Sequence, residues 1–431
     1  MEKFKPSNIK GAIDTLPSTQ ILRNHVTNTL KQNFEAYGYL PIETAFLNNL
    51  DVLTYKYDQN AEIVREIYKI RDQGERDLGL RFDLTVPFSK FIATNRQIKM
   101  PFRRYEIGKV FRNGPVKTGR LREFYQCDID VVGTESQHVE AEIIALAVKC
   151  YLELGIVPVV KYNNRKFLTA LIEPRLKNKQ DIDKVIGTID KIDKISEKEF
   201  TSELLEFMTE ENVDDLCMLF VDSVKSPLLL EAVAASLTHN SNPIDIHDIL
   251  DEGFTEILKL KKLLTDFGVE EYCHFTPSLA RGLNVYTSTV FEVVDKQGRI
   301  QSAIGAGGRY DNIITDWIDN GLKYPAVGFS FGLEAIMALL GDNENNKIHC
   351  SPIDMLLVSM DATKETNNLA NNFRSQNKRV LVMYNTKIKH AFEYANKENI
   401  PFVAVIGEKE IKAGEFKIKD MATGIETKQK I

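Results

Sequence analysis

Between residues 19 and 37 the apolar side chains Leu22, Val26, Leu30 and Phe34 recur every four positions. That spacing lines them along one side of a helix, which Gly38 is placed to end. The segment 39-YLPIETAFL-47 then reads as extended chain. A second helical pattern, 134-TESQHVEAEIIALAVKCYLELG-155, opens on a T-x-x-Q capping box and closes at Gly155. Between the two helices lie 78-LGLRFDLTV-86, 104-RYEIGKVFR-112 and 124-FYQCDIDVV-132. Their β-branched and aromatic content predicts strands of an antiparallel sheet.

Residues 164–270 change character, with charged helical text replacing the strand signals, and predict a mostly helical insertion. Strand signals return at 284–294 and around 300-IQSAIGAGGRYD-311, and a helix is predicted from about Leu333. The polar stretch 341-GDNENNKIHCSP-352 has the composition of a linker. Beyond it, apolar strands alternate with amphipathic helices, which predicts a small α/β domain with a largely parallel sheet. The pattern shows no internal repeat.

At 431 residues the chain is long enough for two or three domains, and 43% hydrophobic with 27% charged residues marks a globular protein. No apolar run reaches the length of a bilayer-spanning helix, and the amino terminus lacks the apolar core of a signal peptide, so a cytoplasmic protein with no membrane partner is expected. The five cysteines are scattered without a C-x-x-C pair, so free thiols are expected, with no metal held by a protein motif.

The formal charge of −6 argues against a general polyanion binder, and no DNA partner is expected. Its distribution changes that picture. Residues 99–122 carry eight Lys and Arg against the single acid Glu106. From Ile353 onward there are 13 Lys and Arg against 10 Asp and Glu, a net +3 that leaves −9 for the rest. Two basic regions would suit a polyanion touching both, although the tail also reads as ordinary solvated surface.

Three constellations could carry chemistry. The first is 111-FRNGPVKTGRLREF-124, a strand–loop–strand pattern that clusters Arg112, Arg120 and Arg122. Guanidinium groups on a hairpin grip phosphate oxygens in a bidentate fashion, yet the same spacing is compatible with loose surface charge. The second is acidic: Asp83 and Thr85 are expected to share one strand face, and Gln126, Asp128 and Asp130 another. Carboxylates on a core-bearing sheet need a partner, which suggests a pocket for an ammonium or imidazolium; the wet face of a sheet is the alternative. The third, 304-IGAGGRYD-311, is neither a Walker loop nor a dinucleotide fingerprint, and is a weak signal alone.

Taken together, LRFDLTVPFSKFIA, KVFRNGPVKTGRLREFYQCDIDVVG, 280-ARGLNVYTSTVFEV-293, GGRYD and PAVGFSFGLE occur in the order found in histidyl-tRNA synthetases, which the chain resembles nearly end to end. The resemblance implies an α+β fold. It has a class II synthetase antiparallel sheet flanked by helices (1–163 and 271–340), a helical insertion domain (164–270), a linker (341–352) and a carboxy-terminal α/β anticodon-binding domain (353–431). It also implies ATP with Mg2+ as substrate complex, L-histidine and the histidine tRNA as partners, no prosthetic group, and a homodimer.

By the same resemblance Arg112 would hold the ATP α-phosphate and the substrate, Arg120 or Arg122 would reach the outer phosphates within the ATP site they share, and Gly307 and Gly308 would approach the adenylate. Asp83 and Thr85 would bind the α-amino group, Gln126 would orient the amino acid, and Asp130 and Tyr286 would bond the imidazole. Val285 would line the same pocket, and Arg281 would stabilise the charge that develops during activation. Three positions depart from the family pattern. Ala335 replaces the arginine of G-L-E-R, Asn284 and Val285 replace the acid and first tyrosine of R-G-L-D-Y-Y, and Ala45 replaces the proline of T-P. These departures keep an alternative open, a catalytically impaired paralogue acting as a histidine-binding regulatory subunit.

Overall fold

The computed structural model describes residues 5–55, 62–116, 121–192, 195–223, 246–280, 285–341 and 352–431. The chain divides into two compact units, Met1–Asp14 with His25–Asp342 and Thr15–Asn24 with Asn343–Ile431.

In chain order the strands of the first unit are β1 (Leu40–Pro41), β2 (Leu47–Asn49), β3 (Lys69–Arg71), β4 (Asp77–Leu80), β5 (Phe102–Phe111), β6 (Glu123–Val132), β7 (Pro158–Asn164), β8 (Cys273–Phe275), β9 (Thr289–Asp295), β10 (Gly305–Arg309) and β11 (Ala326–Gly332). Eight of them form one sheet in the order β1-β5-β6-β11-β10-β9-β7-β8, while β2, β4 and β3 form a small second sheet. The large sheet is antiparallel except where β1 joins β5 and β8 joins β7. One face of it is sealed by Phe34 of the helix Pro17–Ala36 and by Tyr151 of the helix His138–Glu153. Phe331 lies 5.4 Å from each of those rings and 4.7 Å from Phe329, an aromatic run that excludes water from this face.

Several sequence expectations change here. The run 78–86 is not one strand: β4 stops at Leu80 and Thr85 begins the helix Thr85–Thr94. The Val86 N–H donates to Asp83 Oδ1 at 3.1 Å, and Pro87 falls in the first turn, where its missing N–H costs nothing. Asp83 and Thr85 therefore do not share a strand face. The capping box at 134–137 does not form: Thr134 accepts from the Ser136 N–H, and Gln137 Nε2 donates to the Glu256 carbonyl at 2.7 Å. The strand read at 284–294 begins only at Thr289, and 39–47 breaks into β1 and β2 around Thr44.

Within 164–270 the described elements are helical, including Arg165–Ile172, Ile182–Ile189, Glu197–Leu205, Glu210–Ser223 and Ile246–Asp266. Glu256 ties the last of these to the sheet, accepting from Lys166 Nζ at 2.7 Å, from Asn164 Nδ2 at 2.6 Å and from the Ser288 hydroxyl. Four of the cysteines, Cys127, Cys150, Cys217 and Cys273, are free thiols, and Cys350 lies outside the described residues. Most of the 341–352 linker does too. No described helix is long and apolar enough to cross a membrane.

The second unit contains β12 (Met355–Ser359), β13 (Val380–Tyr384), β14 (Phe402–Ile406), β15 (Glu415–Asp420) and β16 (Glu426–Lys430), in the order β13-β12-β14-β15-β16. The first three are parallel, as their alternation with helices predicts, and β15 and β16 add an antiparallel hairpin. Leu369 and Ala370 pack with Leu357 and Ala404, while Ala391 and Ala395 pack with Leu356 and Val358, so a helix covers each side of the parallel strands.

Candidate active site

Opposite the aromatic face, adjacent strands bring polar residues into register. Arg104 of β5 stands across from Asp130 of β6, Glu106 from Asp128, and Gly108 from Gln126. On the other side of β6, Asp130 faces Gly328 of β11, Asp128 faces Ser330, and Gln126 faces Gly332. A Cβ on Gly328 would lie 1.9 Å from Asp130 Oδ1, so only glycine lets that carboxylate lean across β11. A Cβ on Gly308 would similarly come within 2.7 Å of the Tyr286 ring.

The charges in this floor are almost sealed from water. Arg104 is fully buried, pairs with Asp130 at 2.6 Å, and lies over the Phe88 ring at 4.3 Å. Glu106 is held by Arg81 at 2.7 Å and accepts from both the hydroxyl and the N–H of Thr44 at 2.9 Å. Arg81 also donates to the Lys109 carbonyl at 2.8 Å and packs over Phe46. Asp130 accepts from the Tyr310 hydroxyl.

Burial pushes the Asp83 carboxyl up to about 6, against the Val86 N–H and the cations Arg112 and Arg104. Burial also lifts Asp128 to about 7, with Arg104 opposing and the charges of Asp130 and Asp83 adding to the rise. Asp130 is raised as well, again mainly by burial. Among the described residues, four carboxylates (Asp83, Glu106, Asp128, Asp130) face three guanidinium groups (Arg81, Arg104, Arg112). This buried cluster holds one carboxylate more than it holds guanidinium groups, a balance that would suit a cationic ligand.

Arg112 sits just beyond β5, where its Nε donates to the Phe82 carbonyl at 3.0 Å and its guanidinium lies 5.2 Å from the centre of the Phe124 ring. Its N–H donates to the Arg122 carbonyl at 2.9 Å, which closes the base of the hairpin. Arg122 Nε in turn reaches the Gly114 carbonyl. Val285 packs beside Phe88, Tyr310 and Ile313, and Thr85 occupies the first turn of its helix. Gly308 shares the polar face, whereas Gly307, one residue away, has the parity of the aromatic face. Arg120, Arg281 and Asn284 lie outside the described residues.

The basic island of 99–122 divides on folding. Arg104 becomes the buried counter-charge of the pocket, while Arg103 pairs with Glu142 and Lys109 with Glu123. Arg81, Arg104, Glu106, Ser330 and Tyr310 were not singled out by spacing. The usable signal was the alternation Arg104–Glu106–Gly108 opposite Gln126–Asp128–Asp130, complementary in charge once the two strands pair. No group of three or more His, Cys, Asp or Glu suited to a metal ion occurs among the described residues.

The model of the family described as histidyl-tRNA synthetase matches residues 11–336, and that of an anticodon binding domain matches 353–431. The chain belongs to the histidyl-tRNA synthetase family. Its relatives include histidine–tRNA ligase 1 of Bacillus thuringiensis subsp. konkukian, 41% identical over 98% of this chain and 97% of the relative. Histidine–tRNA ligase 2 of Shouchella clausii is 38% identical over 99% and 98% of the two chains. The histidyl-tRNA synthetase of Nostoc sp. PCC 7120 superposes with a TM-score of 0.86 at 28% identity, covering 99% of this chain and 97% of that one. An ATP phosphoribosyltransferase regulatory subunit/histidyl-tRNA synthetase from Bacillus halodurans C shares the fold, with a TM-score of 0.76 at 20% identity over 94% and 99% of the two chains.

Proposed function

We propose that the chain is a histidine–tRNA ligase. It uses ATP to convert L-histidine to histidyl-adenylate, then transfers the histidyl group to the 3′ end of the histidine tRNA. The observation that carries this reading is the acidic, nearly sealed pocket on a synthetase sheet, beside a hairpin base that presents Arg112 and Arg122.

Asp130 and Tyr286 bond the imidazole, Asp83 and Thr85 receive the α-ammonium, and Gln126 orients the amino acid. Although Arg104 and Tyr310 already engage the Asp130 oxygens, a carboxylate retains lone pairs for another donor. A wrong amino acid would leave these buried groups unpaired, which is the strongest discrimination such a pocket can supply. Arg112, Arg120 and Arg122 bind the phosphates of ATP, which arrives as its Mg2+ complex, and Gly307 and Gly308 line the adenylate. Arg281 neutralises charge on the α-phosphate as the histidine carboxylate attacks it and pyrophosphate leaves. A permanent cation already in place does this without reorganisation.

Residues 1–163 with 271–340 form the catalytic domain, 164–270 the insertion, 341–352 a linker and 353–431 the anticodon-binding domain. The protein works in the cytoplasm as a homodimer. Support for the dimer comes from the segment 40–47 that follows the helix Pro17–Ala36, where Leu40, Phe46 and Leu47 are 56%, 39% and 46% exposed. Sedimentation at micromolar concentration should show the dimer; a monomer alone would contradict it.

The regulatory-subunit alternative has Ala335 and Val285 in its favour, and the anticodon-binding match over 353–431 weighs against it. ATP–pyrophosphate exchange with each of the twenty amino acids decides between them. Histidine alone should drive exchange, and the absence of histidine-dependent exchange would remove the ligase reading.

A further inference from the structure

Of the four carboxylates in this cluster, two are paired in contact with a guanidinium, Asp130 with Arg104 at 2.6 Å and Glu106 with Arg81 at 2.7 Å. Asp83 lies in the field of Arg112 and accepts from the Val86 N–H. Asp128 is the more deeply buried of the two that lack an ion pair. It is 3% exposed, Arg104 reaches it through charge and not through contact, and its hydrogen-bonding neighbour is the Ser330 hydroxyl. Among the described residues no donor reaches its Oδ1.

The next residue on the same strand face repeats the situation. Gln126 Nε2 donates to Ser330 Oγ at 3.2 Å, and Gln126 Oε1 is buried without a donor. The two unmet acceptors belong to successive residues on one face of β6, whose Cα atoms stand about 7 Å apart by the rise of a strand and whose side chains both reach toward Ser330. Across the neighbouring strands stand Ser330 and Gly332 on β11 and Glu106 and Gly108 on β5, with the Arg81 guanidinium over Gly108, so β11 is the side that places no bulky side chain over them. An unmet buried acceptor costs stability, and water does not reach either atom. Arg104 Nε and Nη1 and Arg81 Nη2 are buried donors without a hydrogen-bond partner in the same cluster, yet none of them reaches these two oxygens, which leaves both open to a donor carried by a ligand.

We infer that Asp128 is a direct substrate contact: its carboxylate accepts from the α-ammonium of the bound amino acid and, with Gln126 Oε1, completes the acceptors that Asp83 begins. An ammonium carries three N–H donors and one positive charge. It therefore satisfies both orphaned oxygens and balances the fourth carboxylate in one step. This inference rests on reading the pocket as the amino-acid site, and it adds a residue to that site.

The test compares the wild-type protein with Asp128→Asn, which keeps the shape and removes the charge. Binding of histidine, histidinol (which keeps the ammonium) and imidazolepropionate (which lacks it) is measured alongside histidine-dependent exchange. The substitution should weaken histidine and histidinol about 10- to 100-fold, the range of a charge-assisted hydrogen bond. Imidazolepropionate binding and the KM for ATP should be unchanged, and the unfolding midpoint without ligand should be equal or higher.

An equal loss of all three ligands, or unaltered histidine binding, overturns the inference. So does a variant that fails to fold, because Asp128 would then serve the packing around Ser330 and not the ligand. A wild-type protein that shows no histidine-dependent exchange overturns the underlying reading and the inference together. A wild-type protein that exchanges, matched by its variant, overturns the inference alone.

Discussion

The same strands build two opposite surfaces. On one face of the large sheet Tyr105, Cys127, Ile129, Phe329 and Phe331 are buried against aromatic rings and aliphatic side chains. On the other, at alternating positions of β5, β6 and β11, stand Arg104, Glu106, Asp128, Asp130 and Ser330. The first face gains from leaving water and needs only volume and shape. The second gains nothing from burial unless every charge finds a counter-charge, and Asp128 does not. One face holds the fold together, and the other keeps buried charge at the fold's expense.

That contrast is most easily broken at Arg104. Replacing it with Met removes the counter-charge of Asp130, a change that costs about 3–5 kcal/mol when a buried pair loses one partner. Histidine-dependent exchange should fall to background while folded protein is still recoverable. Retained exchange would show that the buried charges serve the fold only.

Phe331→Ala is the matching substitution on the aromatic face. Emptying that site should cost about 3–5 kcal/mol in urea unfolding. The folded fraction should keep the wild-type KM for histidine, since no polar group of the pocket has moved. A large rise in KM would mean that the two faces are not separable.

A smaller effect sharpens the comparison through pH. Asp83 and Asp128 have folded pKa values of about 6 and about 7, raised from 3.8. The folded state therefore binds extra protons between these limits. The stability they confer is fully present below about pH 4 and is lost as pH rises through 6 and 7, at about 1.4 kcal/mol per unit of pKa difference. Without ligand, the unfolding midpoint should decline from pH 5 to pH 8, and saturating histidine should flatten that decline. Asp295 and Asp354, held low by hydrogen bonds from Arg299 and Arg379, contribute the opposite slope, lost only as pH falls below the usual carboxylate range. An unchanged midpoint across this window would mean that the pocket carboxylates are already compensated.

Much of this was legible in the sequence where period and chemistry agreed. The helix through Val26, Leu30 and Phe34, the strands at 104–112 and 124–132, and the carboxy-terminal alternation all appear within a few residues of where the pattern puts them. The 81–86 segment misled because Phe82 and Leu84 alternate like a strand while Asp83 caps the start of a helix. Arg104 misled for a different reason. A guanidinium in a basic run looks the same in sequence whether it meets solvent or a carboxylate on the next strand, and only the pairing of β5 with β6 separates the two. Ser330 stands beside Asp128 across a gap of some two hundred residues, which no local pattern spans.

The most direct test of the whole account is the transfer of labelled L-histidine to tRNA by the purified protein, with a histidine tRNA transcript compared against transcripts for other amino acids. The account predicts ATP-dependent charging of the histidine transcript alone. It would be contradicted by a protein that binds histidine and ATP yet charges no tRNA, or one that charges a different tRNA with a different amino acid.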